Sequence, residues 1–219
     1  MTTTTLPSAT VGHSLAFWLL LPFAAPQGLW MRRVAPPFPP AAGPTQSRVG
    51  YGDPLHLVAI GDSIVAGVGA RTQDEALPGR LASALAARLR REVRWSALGR
   101  VGARAAQVQE SLLPALPAQP FDVAMVSVGV NDVVQLSSAN RWRRDLGALL
   151  DGLRAASPDG LIVLAGLPPL WGFPLLPQPL RFLFGLRARH FDTIAVQESS
   201  GRRSCLYLPT RFDPRPEKF

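Results

Sequence analysis

Cysteine is almost absent: the 219 residues hold one, Cys205, which excludes an internal disulfide and any cysteine-built metal centre. Lysine is equally scarce, since Lys218 is the single one and the other positive charges are arginines. Three histidines, His13, His56 and His190, are too few and too scattered to form a metal-ligand cluster. The 23 basic residues outnumber 15 acidic ones, giving a formal net charge of +8. That excess lacks the grouping nucleic acid requires. The basic runs are short (Arg32-Arg33, Arg88 to Arg94, Arg141 to Arg144), no aromatic residues interleave them, and no nucleic-acid partner is expected. With 47% hydrophobic and 17% charged residues the chain does not read as disordered, and its length suits one domain with a real core.

Long apolar runs are also rare, with one exception. Residues 14–31, SLAFWLLLPFAAPQGLWM, carry no charge and are followed directly by Arg32 and Arg33. About 18 apolar residues is the short end of a membrane span, and Pro22, Pro26 and Gly28 weaken a helix there. A membrane anchor, an atypical signal peptide and an apolar packing arm are the three readings. The positive-inside bias puts the Arg32 side, and the domain beyond it, in the cytoplasm; export to the periplasm or outside is the alternative. The organisation expected is an N-terminal tail with a hydrophobic segment over 1–33, a proline-rich linker over 34–52, and a folded domain over 53–219.

Within that domain short apolar runs alternate with helical stretches. LHLVAIG, EVRWSAL, FDVAMVSVG, LIVLAG and CLYLP read as five strands. Cys205 accordingly reads as a buried strand residue. Between the strands, EALPGRLASALAARLRR places Leu77, Leu81, Leu85 and Leu89 on a helical face. ARAAQVQESLLPAL, ANRWRRDLGALLDGLRAAS and the stretch from Leu180 to Glu198 supply three more helices. Such alternation predicts right-handed βαβ units and a three-layer α/β/α fold around a five-stranded parallel sheet. In folds of this kind the site lies outside the carboxyl ends of the strands.

The loops at those ends carry the motifs. GDSIVAGVGA follows the first strand, ALGRVGAR the second and GVNDVV the third. GVGA at Gly67 to Ala70 lacks the further glycine of a dinucleotide-binding loop, because Arg71 stands in its place. Read on their own, Ser63 suits a helix N-cap, Gly102 a tight turn, and Asn131 a cap after its strand. Taken in order, the three loops resemble the SGNH hydrolases, the GDSL-like lipases and esterases, from about Leu55 to the end of the chain. Gly61 to Ser63 looks like the first family block, Gly102 like the glycine of the second, and Gly129 to Asp132 like the third.

The resemblance implies a flavodoxin-like SGNH fold and a serine esterase or acyl-hydrolase that cleaves small-molecule or lipid carboxylic esters. Ser63 would be the nucleophile. The oxyanion hole would comprise the backbone N–H groups of Ser63 and Gly102 with the Asn131 side-chain amide. Asp62 and Asp132 are expected to organise their loops, and no cofactor or metal is implied. Trp171 and Phe173, in the proline-rich loop Leu167 to Pro179, are expected to form one apolar wall of the acyl pocket. The family's last block, an Asp-x-x-His after the fifth strand, is not found there, and three residues beyond Asp213 stands Pro216. No general base is therefore assigned. The expectation is a domain incomplete at its C-terminus, without the block or the last helix, and impaired in activity. A non-catalytic, membrane-associated acyl-binding module is the alternative. An unrelated flavodoxin-like phosphate binder or signalling partner, with accidental motifs, is a third reading.

Overall fold

The computed structural model describes residues 39–173 and 176–210. Six strands form one sheet: β1 (Gln46–Val49), β2 (Pro54–Gly61), β3 (Glu92–Gly99), β4 (Val123–Ser127), β5 (Leu161–Ala165) and β6 (Cys205–Leu208). Their order is β1-β3-β2-β4-β5-β6, and every pair is parallel except β1 with β3. The helices are α1 (Leu77–Leu89), α2 (Ala105–Ser111), the short α3 (Val130–Val134), α4 (Ala139–Ala156) and α5 (Leu180–Ser200).

Strand β2 is apolar from Leu57 onward because both of its faces are covered there. Leu55, Leu57 and Ala59 join Val93, Trp95 and Ala97 on the face that α1 covers with Ala82 and Ala86. Val58 and Ile60 join Ala124, Val126 and Ile162 on the other face, under Val108 of α2, Leu146 and Leu150 of α4, and Phe191 of α5. Helix α4 begins at Ser138, whose hydroxyl accepts the Arg141 N–H, and buries Trp142, Leu146, Leu149, Leu150 and Leu153 at helical spacing. The Trp142 ring stacks on Phe191 at 5.5 Å between centroids, and its Nε1 donates to the Phe191 carbonyl at 3.0 Å. Trp142→Phe removes that bond and leaves a void. It should destabilise the domain by about 1 to 3 kcal/mol, read from the urea midpoint.

Three expectations are corrected by the fold. The sheet has six strands rather than five, and it is mixed, because the stretch 34–52 is not all linker. Its part from Gln46 to Val49 pairs antiparallel with β3, and Ala41 and Ala42 bond to loops of the domain, so the folded unit starts well before Asp53. Proline-rich composition hid a four-residue edge strand of mostly polar residues, which carries no apolar alternation to read. The second correction concerns α1. Leu77 and Leu89 are exposed, Ala82 and Ala86 are buried against the sheet with Leu81 and Leu85 half-buried beside them, and Gly79 is buried against the Gln73–Asp74 backbone. A strict four-residue repeat drifts by about 40° per step around a helix of 3.6 residues per turn, so it makes a spiral rather than a stripe. Third, ARAAQVQESLLPAL breaks at Ser111 and continues as a 3₁₀ turn over Leu113–Ala115, since Pro114 cannot extend an α-helix.

Cys205 is buried in β6, as expected. Among the described residues no helix is long and apolar enough to cross a membrane. Residues 14–31, and the segment 211–219 with Asp213, lie outside the described residues.

Candidate functional site

The first loop is held by a glycine that admits no side chain. A Cβ on Gly61 would lie 2.0 Å from the Ser127 carbonyl oxygen of β4. That close approach lets the Asp62 N–H donate to the same oxygen at 3.0 Å. Asp62 is buried, and its Oδ1 accepts the Ile64 N–H at 3.1 Å. The chain then turns on itself, with Ala66 N donating to Asp62 O and Val68 N to Ser63 O, both at 3.0 Å. No helix begins at Ser63; the next starts at Leu77, so the residue is not a helix cap. Ser63 is half-buried and, among the described residues, its backbone N–H has no acceptor.

The second and third loops are tied to the first and to each other. Arg100 N donates to Gly61 O at 3.0 Å, and a Cβ on Gly99 would lie 2.1 Å from Ala66 N, so the ends of β2 and β3 are in close contact. Gly102 stands at φ +75°, with open space where a Cβ would project. Glycine is favoured there by the backbone, not by crowding. The Gly102 N–H also has no acceptor among the described residues, while its carbonyl accepts from Gln135 Nε2 at 3.0 Å. From the third loop Asn131 reaches across, and its Nδ2 donates to the Ala103 carbonyl at 3.0 Å. Asn131 lies inside α3, whose cap position is Gly129, so it is not a cap either. Asp132 is fully buried; Oδ2 accepts from Ala105 N at 3.0 Å and Oδ1 from the Ser137 hydroxyl at 3.1 Å.

Burial sets the electrostatics. Desolvation pushes the Asp62 carboxyl from its ordinary 3.8 up to about 6, against the Ile64 N–H bond that lowers it. Asp132 is pushed up for the same reason. Arg187 of α5 donates to the carbonyls of Val133 and Ser137, with its guanidinium 4.7 Å from the Phe191 ring centroid. It thereby fixes the far end of α3 against the core. The two aromatic residues of the proline-rich loop part company, and neither lines a cavity shared with Ser63, Gly102 or Asn131 among the described residues. Trp171 lines a cavity of about 170 Å³ with Leu170, Gly185 and Asp192, whereas Phe173 packs against the main core.

Asp62, Ser63, Gly102, Asn131 and Asp132 therefore fall on three segments bonded together after the carboxyl ends of β2, β3 and β4, whereas Trp171 and Phe173 lie after β5. Sequence reading missed Gln135, four residues after Asn131 and so on the same helical side, and it missed Arg187, which no local pattern marks. It also passed over one Asp-x-x-His spacing, Asp53 to His56. The structure sets that pair at the start of β2, away from the loops. There Asp53 binds Arg91 at 2.7 Å, and His56 Nε2 lies 3.0 Å from Gln119 Nε2. His190 is exposed on α5, its pKa lowered by desolvation and by Arg187 and Arg143. No three His, Cys, Asp or Glu side chains group as metal ligands among the described residues.

A mixed α/β/α sheet with Gly-Asp-Ser, glycine and Gly-x-Asn-Asp loops at adjacent strand ends defines the SGNH hydrolase fold. The sequence model of the GDSL-like lipase/acylhydrolase family matches residues 59–218, and the chain belongs to that family. It is 31% identical over 155 residues to a GDSL-like esterase of Mycobacterium tuberculosis, spanning 67% of this chain and about half (48%) of that relative's length. Among solved structures, the esterase AlinE4, described as an SGNH-hydrolase family esterase, superposes with a TM-score of 0.56 at 24% identity, over 78% of this chain and 85% of that one. The psychrotrophic esterase EstA from Pseudoalteromonas sp. gives a TM-score of 0.53 at 16% identity, over 71% and 76% of the two chains.

Proposed function

We propose that this chain is a serine acyl-hydrolase domain for carboxylic esters, with Ser63 as nucleophile. The observation that carries the reading is the pair of backbone donors without acceptors among the described residues, Ser63 N–H and Gly102 N–H, together with an Asn131 amide held on the Ala103 carbonyl. An amide NH₂ has two hydrogens. One is used on Ala103, and the other is available to a developing oxyanion. Attack by Ser63 Oγ on the ester carbonyl moves charge onto its oxygen, and donors already in place stabilise that charge without reorganisation. The tetrahedral adduct then expels the alcohol and leaves an acyl-Ser63 ester, which water hydrolyses. Membership of an acylhydrolase family and an esterase among the relatives support the same chemistry.

The serine proton needs an acceptor. Among the described residues neither histidine reaches the three loops, and the 219 residues carry no Asp-x-x-His after β6. Turnover by these residues alone should therefore rest on the oxyanion hole and binding, about 10³ to 10⁴ over water. The test is labelling of the full chain by a fluorophosphonate, with hydrolysis of p-nitrophenyl acetate alongside. A single adduct on Ser63, formed slowly for want of a base and lost in Ser63→Ala, is the expected result. Equal labelling of the two chains, or labelling elsewhere, would overturn the reading.

A further inference from the structure

The loop that carries Ser63 is gripped from outside by the segment that precedes the sheet and by Gln73. The Ala66 carbonyl, three residues after the serine, accepts two hydrogen bonds, one from Ala41 N and one from Gln73 Nε2, each at 3.0 Å. The same short segment is laced down further along: Ala42 N donates to Arg71 O at 3.1 Å, Gln73 N to Ala42 O at 2.9 Å, and Ala97 N to Thr45 O at 2.7 Å. The packing is tight. A Cβ on Gly67 would lie 2.6 Å from the Ala41 Cβ and 2.9 Å from the Ala76 Cβ, at φ +76°. From the opposite side Ala66 is braced by Gly99.

Gln73 is the unusual member. It is 3% exposed, yet its Oε1 finds no donor among the described residues. An unsatisfied buried amide oxygen costs free energy, and an apolar side chain of the same length would avoid it. The Nε2 end explains the amide: a carbonyl can only accept, so the nitrogen must face Ala66.

We propose that Gln73 is a positioning residue for Ser63: with Ala41 it fixes the Ala66 carbonyl and so holds the Ser63–Ala70 loop at the height from which Oγ and the serine N–H address a substrate. The inference rests on the reading of Ser63 as nucleophile. A nucleophile displaced by about 1 Å can lose about 10²-fold in rate.

The test uses the full chain and the rate of Ser63 modification by a fluorophosphonate, measured well below the melt. Gln73→Glu keeps the size but, when ionised, sets a second acceptor against the Ala66 carbonyl. It should slow labelling by about 10- to 100-fold at pH 8. Protonation returns a donor to the introduced carboxyl, so the variant-to-parent ratio should climb towards one as the pH is lowered. Gln73→Met, which has no donor at any pH, should be slowed at every pH without recovery, and it keeps the inference open to failure should the charged variant not fold. Parental rates in both variants, or a slowing in Gln73→Glu that ignores pH, would overturn the inference while leaving Ser63 as nucleophile. Absence of Ser63 labelling in the unaltered chain would remove the underlying reading, and the inference with it.

Discussion

Asparagine at position 62 should make the folded domain more stable than the parent at pH 7.5 and no more stable at pH 4. The Asp62 carboxyl binds its proton more tightly in the folded state, at about 6, than in the unfolded chain, at 3.8. Stability contributed by such a group is fully present below the unfolded value and is lost as the pH rises through the folded one. The difference of about two units corresponds to about 3 kcal/mol lost by neutral pH. The cause is desolvation, with a smaller contribution from the nearby Asp132. Asp62→Asn removes the charge while its Oδ1 can still accept from Ile64 N. For a domain of this size each kcal/mol is worth about 2 to 4 °C. Thermal melts of the two chains at both pH values check it. A gain that persists unchanged at pH 4 would show that the carboxylate's burial is not its source.

Asn131→Ala should lower the rate of Ser63 modification, and any ester turnover, by about 10² to 10³. The amide is placed by its bond to Ala103 and by the fixed ends of α3: Gly129 packs beneath Trp142, and Arg187 holds the Val133 and Ser137 carbonyls. A donor so placed acts on the charge that develops in the transition state more than on the neutral ester. The loss should therefore fall on kcat rather than KM. Asn131→Asp should be at least as slow, because it keeps the shape but sets a negative charge beside the oxyanion. The comparison that isolates the effect is Gln135→Ala. It removes an equivalent bond to the same loop, at Gly102, without removing a donor to substrate. Similar losses in both variants would assign Asn131 to loop support alone.

The parallel part of the sheet and the three-loop constellation were legible because both rest on local signals. Both-face burial writes β2 from Leu57 onward as an apolar run, and glycines at or just beyond strand ends mark where the backbone passes close to a neighbour or turns sharply, as Gly61 and Gly102 do. What escaped was set by contacts distant in sequence. Strand β1 is four residues of mostly polar chain whose identity comes from its partner β3. Gln73 reads as an ordinary polar residue of a turn until the Ala66 carbonyl is seen beside it. Arg187 is one of many arginines, and only its two carbonyl acceptors across 50 and 54 residues single it out. The face of α1 was misjudged for a different reason: leucines attracted the assignment, whereas the fully buried contacts with the sheet are made by Ala82 and Ala86.

The direction of β1 has a further meaning for how the molecule is oriented. The other five strands of the sheet run one way; β1 runs against β3, with Gln46 opposite Ser96 and Val49 opposite Val93. The polypeptide consequently enters the sheet from the rim where the parallel strands finish, passing Ala66 and Arg71 on its way in. Everything encoded before Pro39 is joined to the domain at the doorway of the Ser63 loop and not at its back.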